Sequence, residues 1–188
     1  MPNHRLKPLS PLGHDTPVVT TIGPVTISEM IDRALASVAT RRDQDKAVAA
    51  AAKTLGIPLP GAGHFEQAGV FSSFWLGPDQ WMVEAPFASH EDIVAILKPT
   101  FGRAASITEQ TDAWVRFDVS GKELPSMFER LCTFDLRSHG TGSATRTVID
   151  HLGCYVIIRG EALLSVIGPR SSAQSLHHAL VVAAQSAF

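Results

Sequence analysis

Side chains that can bind a metal or act as a nucleophile are scattered along this sequence rather than grouped. No two of its eight histidines stand four residues apart, the spacing that places two zinc ligands on one helical face, and Cys132 and Cys154 do not form a C-x-x-C pair. His177 and His178 are adjacent, so they point to different faces of a helix. His139 lies beside loop glycines and is the histidine most like a site residue, but we interpret it as part of a turn.

The carboxylates and glycine motifs give no stronger sign of catalysis. Asp112, Asp118 and Asp135 lie at predicted strand or loop edges, and a general base also needs a partner group and a pocket, neither of which the sequence identifies. There is no G-x-S-x-G elbow, no phosphate-binding loop and no G-x-G-x-x-G. Residues 61–63 and 140–142 hold only G-x-G fragments, which are typical of turns. We therefore predict no catalytic, cofactor-binding or metal-binding residue on this chain.

The three tryptophans allow two interpretations. Trp75, Trp81 and Trp114 each fall in a predicted strand, and the first two flank the turn at residues 77–79. They either fill the core or face a partner protein, because aromatic side chains are enriched in interface hot spots.

The composition excludes several function classes. The chain has 188 residues, 16 Lys plus Arg and 18 Asp plus Glu, so it offers no electrostatic case for nucleic acid. It has no apolar run of about 18 residues that could span a membrane and no signal peptide at its N-terminus. With two cysteines expected as free thiols, we predict a cytoplasmic location. Hydrophobic residues make up 45% and charged residues 18%, which hints at surface buried against a partner.

The N-terminal 28 residues are predicted to form an extended arm. Five prolines exclude a helix there, and the apolar residues between them favour docking onto another surface over a free tail. The prolines are Pro2, Pro8, Pro11, Pro17 and Pro24.

Periodicity and turn residues then predict the order β-α-β-β-α-β for the first half. The predicted elements are a short helix at 28–33, a strand at 34–40, a helix at 44–55 capped by Asp43, a loop at 58–69, a hairpin at 71–76 and 80–85, a helix capped by Ser89 that ends at Pro99, and a strand at 104–108.

The second half is predicted to repeat this order with two differences: one extra strand before its hairpin, and no clear closing strand. Its predicted elements are a strand at 114–119, a helix at 122–132, a loop at 135–143, strands at 145–149, 155–159 and 163–167, and a last helix capped by Ser171 or Ser172.

A repeated hairpin supports the two halves. Residues 74–86 (FWLGPDQWMVEAP) and 157–169 (IIRGEALLSVIGP) each run apolar, turn at a glycine, run apolar again and stop at a proline, at an offset of 83 residues (Gly77 to Gly160). We predict an α+β fold of two ferredoxin-like β-α-β-β-α-β halves packed as one unit. The domains expected are the arm at 1–28 and one globular unit at 29–188, with pseudo-repeats at about 33–110 and 111–188.

Five blocks in order resemble the sarcosine oxidase gamma subunit family. Residues 74–83 (FWLGPDQWMV) look like its Gly-Pro-Asp-Glu-Trp block, and 34–42 (ALASVATRR) resemble the strand that opens its globular part. Residues 106–120 resemble its segment leading into a Ser-Asp-Ala-Trp strand, 132–136 (CTFDL) its Cys-Pro-Leu-Asp-Leu block, and 10–14 (SPLGH) a short motif in its N-terminal arm. Gln80 stands where the family has Glu, and Thr133-Phe134 where it has Pro-Leu.

This resemblance implies a non-catalytic subunit of heterotetrameric sarcosine oxidase. That complex oxidises sarcosine to glycine and hydrogen peroxide and forms methylene-tetrahydrofolate from tetrahydrofolate. FAD, FMN and NAD are expected on the large partner subunits and zinc on the smallest, with none on this chain. The partners implied are chiefly the alpha subunit, with beta and delta in the complex. The family's fold is similar to the folate-binding domain of the glycine-cleavage T-protein.

The candidate partner contacts are Pro11, Leu12 and His14 in the arm and Trp75 and Trp81 in the first hairpin. Two alternatives stay open at this point. One is a stand-alone folate-binding one-carbon transferase-like protein, and the other is the matching subunit of a related N-methyl amino acid dehydrogenase complex.

Overall fold

The first half of the chain folds into a five-stranded antiparallel sheet in the order β4-β5-β6-β3-β7. The computed structural model describes residues 7–188. After two N-terminal strands, β1 (Val19–Ile22) and β2 (Val25–Met30), the elements of this half are β3 (Arg33–Thr40), α1 (Asp45–Leu55), β4 (Phe65–Ala68), β5 (Phe71–Gly77), β6 (Gln80–Pro86), α2 (Phe87–His90), α3 (Ile93–Phe101) and β7 (Ala105–Glu109).

The second half forms a six-stranded antiparallel sheet in the order β1-β2-β8-β11-β10-β9. Single 3-10 turns at Leu136–Ser138 and Arg170–Ser172 connect its elements. The elements are β8 (Trp114–Gly121), α4 (Leu124–Phe128), β9 (Ala144–Ile149), β10 (Leu152–Gly160), β11 (Leu163–Pro169) and α5 (Ala173–Ala187).

The two halves have the same ferredoxin-like order, so the predicted fold class is confirmed. A ferredoxin-like unit has the strand order 4-1-3-2 in its sheet. The order is β7-β3-β6-β5 in the first half and β2-β8-β11-β10 in the second, where β2 takes the place of the fourth strand. The second half has no closing strand after α5. Instead β2, from the N-terminal part of the chain, pairs antiparallel with β8 in that place.

The two copies of the repeated hairpin share their bulge and their terminal backbone angles. The strand register shifts between Trp75 and Gly77 in the first copy and between Ile158 and Gly160 in the second, so each copy has a bulge at the same point. Pro86 and Pro169 then end the two hairpins with nearly identical backbone angles, φ −60° and ψ 126° or 128°. The 83-residue offset therefore reflects one supersecondary unit used twice.

The fold has four layers, with the two sheets stacked between two layers of helices. One core lies between the first sheet and helices α1 and α3, and another between the second sheet and helices α4 and α5. A third core joins the inner faces of the sheets and takes residues from both halves. Its buried members are Leu35, Phe65, Phe74, Met82, Ala144, Tyr155, Ile157 and Ile167.

Backbone hydrogen bonds also join the edges of the two sheets. The Phe65 amide donates to the Gly142 carbonyl at 2.7 Å, and the Ala144 amide donates to the Gly63 carbonyl at 2.8 Å. These bonds connect the start of β4 to the start of β9, so the halves are linked by main-chain contacts as well as by side-chain packing.

The N-terminal segment docks on the chain's own second half. Leu12 is buried in the second core with Val25 and Ile27. The Glu29 carboxylate accepts hydrogen bonds from the backbone amides of Leu12 and Val18, at 2.8 and 3.0 Å. The residues of the arm before Lys7, including Pro2, lie outside the described residues.

Two predicted elements of the first half were wrong. Residues 28–33 were expected to start a helix, but residues 25–30 are strand, because Val25 and Ile27 bury one face while the backbone pairs with β8. The predicted loop at 58–69 contains the edge strand β4, so the second half has no extra strand relative to the first.

Three predicted helix boundaries also differ. Asp43 has a left-handed backbone (φ 62°), so Gln44 takes the N-cap position of α1 without a side-chain bond. Asp92, not Ser89, caps α3, since its carboxylate accepts from the Ala95 amide at 3.1 Å, and the helix continues past Pro99 to Phe101. The helix expected at 122–132 spans only Leu124–Phe128, and Glu123, at φ 62°, prevents an earlier start.

Candidate functional site

The predicted partner-contact residues form two groups on different halves. In the arm, Leu12 is buried in the second core, Pro11 is half-buried and His14 is exposed. In the first hairpin, Trp75 and Trp81 are half-buried and lie opposite each other in the register of β5 and β6.

The two hairpin tryptophans differ in how firmly the fold holds them. Trp81 packs against the first core, and its indole N–H donates to the Pro60 carbonyl at 2.9 Å. Trp75 belongs to none of the three cores among the residues that the structure describes. Of the three tryptophans, Trp75 therefore contributes least to the packing of the cores. Trp114, the third, packs against the core between the sheets.

A buried polar cluster between the two sheets is the main feature that sequence reasoning missed. Glu84 on β6 is fully buried, and the Arg159 guanidinium on β10 donates to its carboxylate at 2.8 Å. The Ser72 hydroxyl donates to the other carboxylate oxygen at 2.9 Å. The Arg159 guanidinium also lies over the ring of Phe65, 4.5 Å from its centroid.

The cluster continues onto β8 and β11 of the second half. Arg159 donates to the Ser165 hydroxyl at 2.6 Å, which in turn donates to the Asp118 carboxylate at 2.5 Å. Arg116 holds the same carboxylate with two parallel bonds of 2.7 Å each. A single chain of hydrogen bonds therefore runs from the first sheet into the second.

The electrostatics keep Glu84 and Arg116 of this cluster ionised. Burial raises the pKa of Glu84, but the charges of Arg159 and then Arg116, with their hydrogen bonds, outweigh burial and lower it to about 2. Burial lowers the pKa of Arg116, but its hydrogen bond to Asp118 and the charge of Glu84 outweigh burial. The net effect is a raised pKa. Glu84 is thus a fixed carboxylate at neutral pH and is poorly suited to accept or release protons.

Two members of the charge cluster, Glu84 and Arg116, line a cavity of about 490 Å³. Strands from both halves form its walls, and the arm residues 8–11 lie across it. Arg170 holds the arm there by donating to the Leu9 carbonyl at 3.2 Å. The lining also includes charged residues of both signs (Asp15, Arg33 and Asp112) and the apolar residues Leu35, Phe87, Trp114 and Ile167.

The carboxylates weighed from the sequence have structural partners. Asp118 belongs to the buried cluster, and exposed Asp112 lies 3.4 Å from the Arg170 guanidinium. Asp135 caps the 3-10 turn that follows it by accepting from the Arg137 amide at 2.9 Å. No two of these three carboxylates share hydrogen-bond partners in the described part of the chain.

His139, His177 and Cys154 are likewise held in structural settings. His139 packs on Phe134, with ring centroids 4.5 Å apart, and its Nδ1 lies 2.8 Å from the Asp135 carbonyl. Burial lowers the pKa of His177, and burial raises the pKa of the Cys154 thiol to about 11, so that thiol is protonated and inert. Within residues 7–188, no group of three or more His, Cys, Asp or Glu side chains is placed to hold a metal ion.

A weak sequence signal did exist for the buried cluster. Glu84 stands between Val83 and Ala85 in the otherwise apolar run at 81–86, and a charge at such a position implies a buried partner. Its partner could not be found from sequence, because Arg159 is 75 residues away and has no motif around it.

Comparison with known proteins identifies the fold. No family model matches the chain, and no curated protein sequence matches it. A chain of the heterotetrameric sarcosine oxidase from Corynebacterium sp. U-96, solved in complex with pyrrole 2-carboxylate, superposes with a TM-score of 0.74 at 21% identity, over 89% of this chain and 87% of its own.

A second solved structure shares the fold over part of its length. The glycine cleavage system aminomethyltransferase T from Bartonella henselae superposes with a TM-score of 0.63 at 12% identity. The match covers 88% of this chain and 50% of the other, so this chain spans about half of that protein. The predicted fold similarity to both proteins is confirmed. No helix among residues 7–188 is long and apolar enough to cross a membrane.

Proposed function

We propose that this chain is the non-catalytic gamma subunit of a multisubunit sarcosine oxidase. In that role it assembles with large flavin-bearing subunits that oxidise sarcosine to glycine with release of hydrogen peroxide. The observation that carries the proposal is the superposition on a chain of a heterotetrameric sarcosine oxidase over nearly the full length of both chains. A similar fold over most of both chains is what two versions of one subunit would have.

The surface of the first hairpin supports an assembly role. The turn residues Pro78 and Asp79 are exposed, and Trp75 beside them is only half-buried. These residues belong to the block that resembles the gamma subunit family, and none is needed by the cores described above. We propose Trp75 and Trp81 as partner contacts, with Trp75 contributing most to binding because Trp81 also supports the first core.

The arm is proposed as a second contact region, through Pro11 and His14. Leu12 between them is buried in the second core, so it anchors the arm and leaves its two neighbours presented to a partner. Deleting residues 1–25 would remove β1 and the buried Val25, and it would therefore damage the fold as well as the contact. Substitution of exposed arm residues is the cleaner test.

The proposal places the FAD, FMN, NAD and zinc of the complex on the alpha, beta and delta partners, and the complex in the cytoplasm. Co-expression with candidate partner chains, followed by size-exclusion chromatography and a sarcosine-dependent peroxide assay, tests it. We expect one stable complex that is active with sarcosine, and no activity from this chain alone. Obligate interfaces of this kind bury about 2,000 Å² or more. A purified chain that ignores all partner subunits would refute the proposal.

Two variants sharpen this experiment. Trp75→Ala and the pair Pro11→Ala with His14→Ala should each weaken complex formation while the isolated chain keeps its circular dichroism spectrum. Val148→Ser is the matched control, since Val148 is 59% exposed on the edge strand β9 of the other half. Equal assembly by all of these variants would remove both proposed contact regions.

A second candidate function is a stand-alone folate-binding protein related to one-carbon transferases. The observation that favours it is the superposition on the aminomethyltransferase T of the glycine cleavage system. Calorimetric titration of the isolated chain with tetrahydrofolate separates the two: micromolar binding favours this second function, and no binding favours the subunit. A complex that forms but oxidises another N-methyl amino acid in preference would indicate the related dehydrogenase complex instead.

A further inference from the structure

The part of the arm before Ser10 forms a boundary between the cavity and solvent. Pro8 and Leu9 both line the cavity, and both are exposed, Leu9 with 49% of its surface. One side of this segment therefore faces the cavity while the other side faces solvent. Ile31, which lines the same cavity, is also 49% exposed, so the apolar side chains at this boundary are not packed into a core.

The turn at 10–13, which follows this segment, is firmly anchored. Ser10 is only 8% exposed, and its carbonyl accepts from the Gly13 amide at 2.8 Å. Leu12, inside the turn, is buried in the second core, and its amide donates to the buried Glu29 carboxylate at 2.8 Å. The turn is therefore a fixed point beside the cavity, about which the preceding residues can move.

Residues 7–9 are held much less firmly than the turn. The Arg170 guanidinium donates to the Leu9 carbonyl at 3.2 Å, in an exposed position. Within residues 7–188, no other hydrogen bond ties residues 7–9, and the Leu9 side chain belongs to none of the three cores. An exposed hydrogen bond and few buried apolar contacts are the features of a segment that opens locally at a low cost in free energy.

Arg170 can release this segment at little cost. Its backbone amide donates to the Ala113 carbonyl at 3.0 Å, in the link between the two halves, so its main chain is fixed. Its side chain is 34% exposed, and the carboxylate that it pairs with, that of Asp112, is 86% exposed and 3.4 Å away. Water screens such a pair and solvates the guanidinium. The bond to Leu9 can therefore break without leaving a charge buried and alone.

We propose that residues 7–9 form a lid over the cavity, hinged at the turn 10–13 and latched by the bond from Arg170 to the Leu9 carbonyl. The structure shows the closed state. When the latch breaks, the lid turns outward, and the cavity with Trp114 in its wall opens to solvent. The lid operates in the isolated chain and does not depend on the chain being an oxidase subunit. Lid opening and complex formation can therefore each fail without the other.

Access of a small soluble nitroxide to the Trp114 indole tests the proposal in the full chain. The nitroxide broadens the indole N–H resonance, which is assigned through Trp114→Phe, and the Trp75 indole, which does not line the cavity, is the internal reference. Arg170→Gln removes the charged latch. We expect the open fraction of the lid to rise about fivefold, the shift given by the net contribution of one hydrogen bond, and the broadening at Trp114 to rise with it.

Two further variants bracket this result. Asp112→Asn is the matched control, since it removes the ion pair of Arg170 but keeps the bond to Leu9, and it should leave the broadening at the wild-type level. Deleting residues 1–9 keeps the Leu12 anchor and β1 and gives the fully open reference. If this deletion leaves the broadening at Trp114 unchanged, residues 7–9 do not cover the cavity and the proposal is wrong. Equal broadening in Arg170→Gln and Asp112→Asn would overturn it as well, because the bond to Leu9 would then not be the latch.

Discussion

The inner faces of the two sheets occupy equivalent positions in the repeat, yet they carry different chemistry. In the first half Leu35 lies opposite Glu84 across β3 and β6, and in the second half Arg116 lies opposite Ile167 across β8 and β11. Each pair has one charged and one apolar member, but on opposite strands. Glu84 therefore takes its partner, Arg159, from the other half, whereas Arg116 pairs with Asp118 of its own strand.

This difference shows how a duplicated unit becomes a single folded body. Inner faces with only apolar side chains would set no unique alignment of one sheet on the other. Here Glu84 of the first half requires Arg159 of the second, and Arg159 stands at the bulge where the first hairpin has Leu76. We expect the polar cluster to fix the alignment of the two sheets more than it adds to stability, because buried ion pairs gain little over apolar packing.

The largest effect should come from giving the second hairpin the residue of the first. Arg159→Leu leaves the Glu84 carboxylate buried without its main partner, and breaking a buried pair in this way costs about 3–5 kcal/mol. Urea unfolding followed by circular dichroism measures this loss. Glu161→Gln, at an exposed residue of the same hairpin, is the control and should change little.

The double variant Glu84→Leu with Arg159→Leu separates specificity from stability. It should regain most of the free energy of unfolding, since neither charge is then left alone. If Arg159→Leu alone is as stable as the wild type, the ion pair between the halves has no energetic role and the comparison fails.

The next effect is the dependence of stability on pH, which we expect to come from Glu84 in the first half. The pKa of Glu84 is lowered in the folded state to about 2, from an ordinary value of 4.5. A lowered pKa stabilises the fold above pH 4.5, and that contribution is lost as the pH falls from 4.5 towards 2. The full loss is roughly 3 kcal/mol.

Urea unfolding at pH 6 and pH 3 measures this loss in the wild type and in Glu84→Gln. The wild type should lose more stability between the two pH values than the variant, which has no proton to take up at this position. The same decrease in both proteins would show that other carboxylates cause the acid sensitivity.

A third test compares the strands that close the two sheets. Ile107 on β7 lies opposite Val38, and Ile27 on β2 lies opposite Val119, so the two isoleucines occupy equivalent positions. Ile27 is buried and Ile107 only half-buried. Ile27→Ala should cost about 2–4 kcal/mol and Ile107→Ala about half as much. Equal losses would mean that the N-terminal strand closes its sheet no more tightly than the strand that follows α3.

The extent to which sequence predicts this fold follows from the same comparison. The hairpin repeat was predictable because its glycines and prolines recur at a fixed offset and act locally. The replacement of the missing strand by β2 was not, since the pairing of Ile27 with Val119 joins segments more than 90 residues apart. Residues 28–33 were expected to be a helix because Ser28 is a good cap, but the burial of Val25 and Ile27 decides for a strand.

The candidate site depended still more on distant contacts. In the sequence Asp118 stands alone at a strand edge, and only its apolar neighbours mark Glu84. Their chemistry appears only when four strands from two halves bring Arg116, Arg159 and Ser165 around them. No spacing in the sequence reports such a cluster, because each strand contributes one or two members.

The smallest change in stability should come from Trp75, where the two hairpins differ most at their surfaces. Its equivalent in the second half is Ile158, which is buried in the second core, whereas Trp75 is half-buried and lies outside every core. Trp75→Ala should therefore lower the free energy of unfolding by less than about 1 kcal/mol, mainly through the cross-strand pair with Trp81. Ile158→Ala should cost about 2–4 kcal/mol. If Trp75→Ala costs as much as Ile158→Ala, the indole is part of the fold. If the cost is small and assembly with the partner chains is lost, Trp75 contributes to binding a partner and not to folding. The first hairpin would then share the backbone of the repeat while its exposed side chains bind another chain.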